Sequence, residues 1–584
     1  MVSVGIDIGT SNTVVAVTNT NGEPQIRTIS NEALMPSVIY VDETAGARTV
    51  GREAIEEWAN PEYDQAGSFR RWKLQMGQGV ELRQMRFGGK TSNITSITPE
   101  LLTTWLVEHV LTELSAGIGG ETIDSVLVTV PHGWRRESPE KCRATRQAAG
   151  AAQLAGEKVE IQPVTLSEPV AAAVYWLWAA RKNPQHQAED FVGKTVVVCD
   201  IGGGTFDLSL VQVAPPGQPL VVVDAINHNF AGDYVTSLIM ARAVQVFNEE
   251  HGTHLSESAD EILAQVAGAA EAWMRSWFIT AQEMQKSLSL KIAAAARRGR
   301  TATIGVDEVF RDLDGRTVQL RLSPDEFMSM LDPFYEHGRD LVRQFLEMQT
   351  DETRPYAVVF AGGGSRIAGV ADQIMRPALE KFVTDAEEVL TRITINDNMV
   401  DQAIALGAAL VANGVVSVQE RLLCDVGIES AVDANLGRIL GLPAGEETIL
   451  LTPVLARGTE LPARFQASEQ SLPPWAVAAG KTMEIRVVVD DDPTDPWVQS
   501  WEVSHPADGR TETLDILVQA DSDGVLSLTF IPIQGRSTTL QGQLSRTGRA
   551  SLVFRSPGEP LGVGKHRVTL TQMQGALRTA RRKA

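Results

Sequence analysis

Cysteine is scarce in this chain. Its 584 residues contain three, Cys142, Cys199 and Cys424, widely separated and odd in number. That excludes a disulfide framework and fits a reducing compartment. Positive charge is also short: 52 Lys and Arg stand against 73 Asp and Glu, a formal net charge of −21. That sign argues against nucleic acids and acidic membrane surfaces as partners. The longest apolar stretch, near VAAAVYWLWAA (170–180), falls well short of the ~20 residues that span a bilayer. The opening MVSVGIDIG has no basic stretch ahead of an apolar core, so no secretory leader is read and a cytoplasmic location is expected. No GKS or GKT directly follows the glycine turns at Gly9, Gly202–Gly204 or Gly362–Gly364, so none of these is the loop of a Walker-type nucleotide hydrolase. GGGSR likewise lacks the context of a dinucleotide fingerprint.

What is present is a repeated pattern. VGIDIGTSNTVVAV (4–17) and VVVCDIGGGTFDLSLV (196–211) each run from an apolar strand through Asp-Ile-Gly and a small polar turn into another apolar strand. Such turns between apolar runs read as β-hairpins. Two similar hairpins point to a duplication, with two lobes facing a cleft. A third glycine turn lies in YAVVFAGGGSRIAGVADQI (356–374). Backbone N–H groups in turns of this kind form nests that hold anions. Three of them, two with a strand-end aspartate, point to a nucleotide triphosphate. Asp7 and Asp200 would face each other across the cleft, which suits Mg²⁺ held by one or two carboxylates and phosphate oxygens. Thr10 and Thr205 can donate hydroxyl hydrogen bonds to the phosphates.

SPDEF (323–327) carries a capping box that starts a helix at Pro324. EPVAAAVYWLWAARK (168–182) and DQAIALGAALVANGV (401–415) read as helices. Near residue 420 the composition changes. Segments such as MEIRVVV, LDILVQA and VLSLTF alternate between Pro and Gly punctuation, a separate β region. DSDG (521–524) reads as a hairpin turn, since Pro532 stands where a calcium loop needs glutamate. HGTH (251–254) has the spacing of a metal pair but reads as loop.

GIDIGTSNT, VTVP, SEPVAAA, DIGGGTFD, AGGGSRI and DQAIALGAAL occur in the order found in the heat-shock 70 chaperones of DnaK type, which this sequence resembles over most of residues 1–415. The resemblance implies an α/β fold: a duplicated, actin-like (ribonuclease-H-like) two-lobed ATPase domain over 1–416, then an apolar linker over 417–426. A smaller all-β sandwich over 427–571 and a basic tail over 572–584 follow. It implies Asp7 and Asp200 at the metal, and Lys73, Glu168, Asp200 and Thr205 in catalysis, Glu168 placing the attacking water. Gly9, Thr10, Ser11, Asn12, Gly202, Gly203, Gly204, Thr205 and Gly232 would line the phosphates. Gly362, Gly363, Gly364 and Ser365 would also bind the nucleotide, with Glu283, Lys286 and Arg366 as its adenosine contacts. Asp401 resembles an acid near the metal.

The same resemblance implies ATP or ADP with Mg²⁺, unfolded polypeptide clients, a J-domain co-chaperone and a nucleotide-exchange factor. The apolar segment RLLCDV (421–426) is expected to be exposed and to dock according to nucleotide state. The family's long helical lid has no counterpart in MQGALRTARRKA (573–584), so fast client exchange is expected. Three other readings stay open: an ATPase serving one dedicated partner, a sugar-kinase relative and an actin-like filament protein.

Overall fold

The structure is a computed structural model. It describes residues 2–432 apart from 20, 44–46, 60–66, 88–92, 118–121, 163–164, 183–190, 216–219, 268–271, 313, 351–352 and 394–398. It then describes 448–470, 475–477, 482–490, 497–504, 512–533, 540–543 and 567–569. Its contacts divide into two units: Met1–Gly133 with Arg143–Val418, and Trp134–Cys142 with Gln419–Ala584.

The first unit is mixed α/β and carries one strand pattern twice. The strand Val2–Ile8 pairs antiparallel with Asn12–Thr18 and parallel with Ile123–Val130. Thr195–Ile201 pairs antiparallel with Phe206–Gln212 and parallel with Pro355–Ala361. Each hairpin is extended by a further antiparallel strand, Pro24–Arg27 in one sheet and Val221–His228 in the other. Both leading strands are buried along their whole length. A strand covered on both faces needs an unbroken apolar run, and that is how each reads.

Two helices, Glu168–Arg181 and Ala403–Ala412, share an apolar cluster with residues of both sheets, among them Val14, Leu127, Val198 and Val359. Small residues let these helices cross closely. A Cβ added at Gly407 would lie 1.8 Å from the Ala171 carbonyl oxygen. The capping box forms as the sequence predicts: Ser323 accepts from the Glu326 amide, and the Glu326 carboxylate accepts from the Ser323 amide. HGTH proves to be a helix end. Gly252 adopts a left-handed cap (φ 63°), and His251 Nε2 lies 2.9 Å from the Thr317 carbonyl oxygen.

Among the described residues of the second unit, two five-stranded sheets share one core. One runs through Asp425–Val432, Thr448–Leu455 and Thr482–Asp490, the other through Glu512–Ala520 and Leu526–Pro532. Ile428, Val487, Ile516, Val518, Leu528 and Phe530 belong to a single buried cluster. DSDG is a turn: Asp521 accepts from the amides of Asp523 and Val525, and Gly524 has φ 86°.

The expected exposure of RLLCDV is corrected. Leu422 is 3% exposed, and Cys424 and Val426 are buried with it in the β core. The physical reason is backbone pairing: the Leu422 amide donates to the Thr459 carbonyl, and the Leu422 carbonyl accepts from Gly458. That pairing turns the apolar side chains into core. The basic tail lies outside the described residues.

Candidate functional site

The two hairpin tips meet. A Cβ built on Gly203 would lie 2.1 Å from Ser11 Oγ, and one on Gly204 would lie 3.2 Å from Thr10 Cγ2. Only glycine permits that approach. The second tip is closed by the Gly202 amide, which donates to the Thr205 carbonyl at 2.9 Å. The helix Gly232–His251 is hung on the same turn. Its Gly232 amide donates to the Gly202 carbonyl at 3.1 Å and its Asp233 amide to the Gly203 carbonyl at 2.8 Å. The third turn abuts the second: Gly362 has φ 74°, and a Cβ there would lie 2.4 Å from Asp200 Oδ1. At the first tip, Ser37 Oγ donates to the Gly9 carbonyl at 2.8 Å, and Asn12 is exposed.

Asp7, Asp200 and Glu168 are buried here beside Lys73. Lys73 Nζ donates to Glu168 Oε1 at 2.6 Å. Lys73 rides on a short turn, Trp72–Gln75, anchored by Trp72 Nε1 donating to Thr103 Oγ1 at 3.1 Å. Glu168 opens its helix with Pro169 in the first turn. Thr129 Oγ1 donates to Asp7 Oδ1 at 2.9 Å.

The electrostatics follow from one base among several acids. Burial raises the Asp7 pKa against the attraction of Lys73 and the Thr129 hydrogen bond. Asp200 is raised well above the ordinary carboxylate value, by burial first and then by Glu168, Asp207 and Asp7. Glu168 is pushed up to about 7, by burial first, with Lys73 opposing and Asp7 and Asp207 repelling. Burial alone would depress Lys73, yet the attraction of Glu168, Asp7 and Asp200 outweighs it and raises its pKa. The ammonium is therefore kept.

Residues expected on the adenosine side fall into two ion pairs. Glu283 and Lys286 pair at 2.8 Å on the exposed face of the helix Ala272–Ala296. Arg366, on the turn Gly363–Arg366 with Ser365, pairs with Asp401 at 3.0 Å. Asp401 is thus engaged by Arg366.

Four contributors were not read from sequence. Asp207, opposite Asp200 in the second hairpin, adds negative charge to the cluster. Thr129 steadies Asp7. Arg71, with a left-handed backbone (φ 61°), ion-pairs with Asp233 behind the Gly203 turn. His132 meets Ser167 next to Glu168. The repeat offered a signal for Asp207, since DIGGGTFD carries both acids. The other three depend on partners distant in the chain.

These residues fit a divalent cation and a phosphate chain. Among the described residues, Asp7, Asp200, Glu168 and Asp207 lie buried around the Lys73 ammonium, and a bound cation would favour the ionised form of these acids. Among the described residues no three His, Cys, Asp or Glu side chains form a ready metal shell. Mg²⁺ needs no such shell, because it keeps waters and takes one or two carboxylates plus phosphate oxygens. Ser11 Oγ is a buried hydroxyl that makes no hydrogen bond among the described residues, and it faces the glycine turn. It is available to a phosphate oxygen.

A profile of the family described as Hsp70 protein matches residues 3–435. The chain belongs to the Hsp70 family. This Hsp70 chain is similar to the chaperone protein DnaK of Thermotoga petrophila, 24% identical over 536 residues, covering 90% of this chain and 77% of that protein. The DnaK of Thermotoga maritima gives the same figures, 24% over 536 residues. That of Thermus thermophilus is 24% identical over 489 residues, 79% of this chain and 67% of its own. Among the described residues no helix is long and apolar enough to cross a membrane.

Proposed function

We propose that this Hsp70 family member hydrolyses ATP to ADP and phosphate in its α/β unit and thereby controls the binding of unfolded polypeptide by its β unit. The observation that carries the reading is the meeting of two hairpin tips, Thr10–Ser11 against Gly203–Gly204, over a buried set of Asp7, Asp200, Glu168 and Lys73. The repeated strand pattern supports an actin-like, two-lobed ATPase domain, and the shared core of the two later sheets supports a β sandwich. The division of contacts at Val418 and Gln419 supports a domain boundary close to residue 417.

In this reading Gly9, Thr10, Ser11, Asn12 and the amides of Gly202–Gly204 cradle the β and γ phosphates, with Thr205 and Gly232 at the edge. Asp7 and Asp200 would hold Mg²⁺, which when bound would supply positive charge to neutralise phosphate oxygens. Glu168, fixed by Lys73, orients a water. The water oxygen forms a bond to the γ phosphorus as the bond to the β–γ bridging oxygen breaks, and the water proton passes towards Glu168. Lys73 offsets the charge that develops on the transferred group. Phosphoryl transfer is catalysed by such positioning and neutralisation. Glu283, Lys286 and Arg366, beside Gly362–Ser365, hold the adenosine, Arg366 by laying its guanidinium plane on the base.

Partners follow from the family: a J-domain protein that stimulates hydrolysis and a factor that exchanges nucleotide. The test is ATP turnover of the purified chain, alone and then with an unfolded polypeptide and a J-domain protein. Stimulation by both supports the reading. Turnover only in the presence of a hexose, with a phosphorylated sugar as product, overturns it.

A further inference from the structure

The strand Ile123–Val130 ends beside two of the site carboxylates. Its Thr129 holds Asp7. Two residues past the strand end, His132 is buried, with Nδ1 2.6 Å from the hydroxyl oxygen of Ser167, itself fully buried. Ser167 immediately precedes Glu168 and is the N-cap of the helix Glu168–Arg181. A serine at that position ordinarily accepts a hydrogen bond from the second or third helical amide. Ser167 makes no such cap bond. Its hydroxyl meets the imidazole. Ser167 is also the parallel strand partner of Val130. The start of the Glu168 helix is therefore fixed twice, by backbone pairing and by His132.

We propose that His132 is a positioning residue for hydrolysis. Through Ser167 it sets the backbone from which the Glu168 carboxylate reaches Lys73 and the attacking water. This rests on the ATPase reading above. The geometry gives it leverage, because Glu168 is one residue from the contact and its carboxylate must meet Lys73 at 2.6 Å. Misplacing a reacting group by about 1 Å can cost ~10²-fold in rate. A buried imidazole–hydroxyl pair is well suited to fix such a position, since its hydrogen bond is strengthened where water is excluded. In this account His132 does not touch the nucleotide, so it affects the chemical step and leaves binding unchanged.

The experiment compares the unmodified chain with His132→Leu, His132→Asn, Ser167→Ala and the double variant His132→Leu/Ser167→Ala. Single-turnover ATP hydrolysis, KM and calorimetric Mg·ADP affinity are measured for each. We expect His132→Leu and Ser167→Ala each to lower kcat about tenfold, with KM and Mg·ADP affinity within about twofold. His132→Asn, whose amide can stand where Nδ1 stands, should recover most of the loss. The double variant should be no worse than either single one, as expected for two groups acting through one contact. The proposal is overturned if Asn is no better than Leu, if KM rises in place of a fall in kcat, or if the two losses add. Should His132→Leu fail to fold, the Asn and Ser167→Ala variants decide the matter by the same criteria. An unmodified chain without turnover overturns the ATPase reading itself, a result separable from the others because it is measured first.

Discussion

Replacing Glu168 by Gln should make the protein more stable while it stops the reaction. The Glu168 carboxyl has its pKa pushed up from the ordinary 4.5 to about 7. Burial is the main cause; the attraction of Lys73 opposes it, and repulsion by Asp7 and Asp207 adds to it. An acid with a raised native pKa binds more protons folded than unfolded. Folding stability is then full below about pH 4.5 and falls as pH rises to about 7. At about 1.4 kcal/mol per pH unit, that displacement corresponds to roughly 3 kcal/mol lost by pH 8. Glutamine is neutral throughout, and its carbonyl can still accept from Lys73. The variant should therefore match the unmodified chain at pH 4 and exceed it by roughly 3 kcal/mol at pH 8. For a unit of about 400 residues that is a rise in Tm of about 3–4 °C. Scanning calorimetry between pH 4 and 8, without nucleotide or Mg²⁺, reads it directly. ATP turnover of the same variant should fall by about 10²–10³. A gap that does not widen with pH, or a variant less stable at pH 8, would refute the picture of an acid held in an over-acidic pocket.

The other predictions concern contacts named above. Lys73→Ala and Asp200→Asn should each lower kcat by about 10²–10³ with circular dichroism unchanged, and near-normal turnover in either would remove that residue from the site. Gly203→Ala forces a methyl to within 2.1 Å of Ser11 Oγ and should weaken Mg·ATP binding about tenfold or more by calorimetry. An unchanged affinity would mean that the tips do not form the nucleotide cradle. Leu422→Asp puts a charge into the β core and should cost roughly 3–4 kcal/mol in urea unfolding of the β unit. A tolerant β unit would show that Leu422 is surface.

Much of this was legible in the sequence, and the limits have physical causes. The hairpins announce themselves locally, because Asp-Ile-Gly interrupts an apolar run that must be buried on both faces. The capping box at Ser323 is equally local, since both of its bonds span three residues. The site charges are another matter. Thr129 reaches Asp7 across 122 positions, and Arg71 reaches Asp233 across 162. No spacing rule links residues that far apart. RLLCDV misled for a related reason. Its apolar content is plain, but whether that content is patch or core depends on the distant turn that pairs with it, through Thr459 and Gly458. His132 reads as an ordinary residue after a strand until the fold brings Ser167 beside it.

The central claim is that the two hairpin tips and their buried acids form one site for magnesium-bound nucleotide. Titration calorimetry of the folded chain with Mg·ATP and Mg·ADP, run beside Asp200→Asn, tests it most directly. The account predicts a single saturable site per chain that is strongly weakened when Mg²⁺ is chelated or Asp200 is neutralised. No heat of binding from either nucleotide, or binding indifferent to both Mg²⁺ and Asp200, would contradict it.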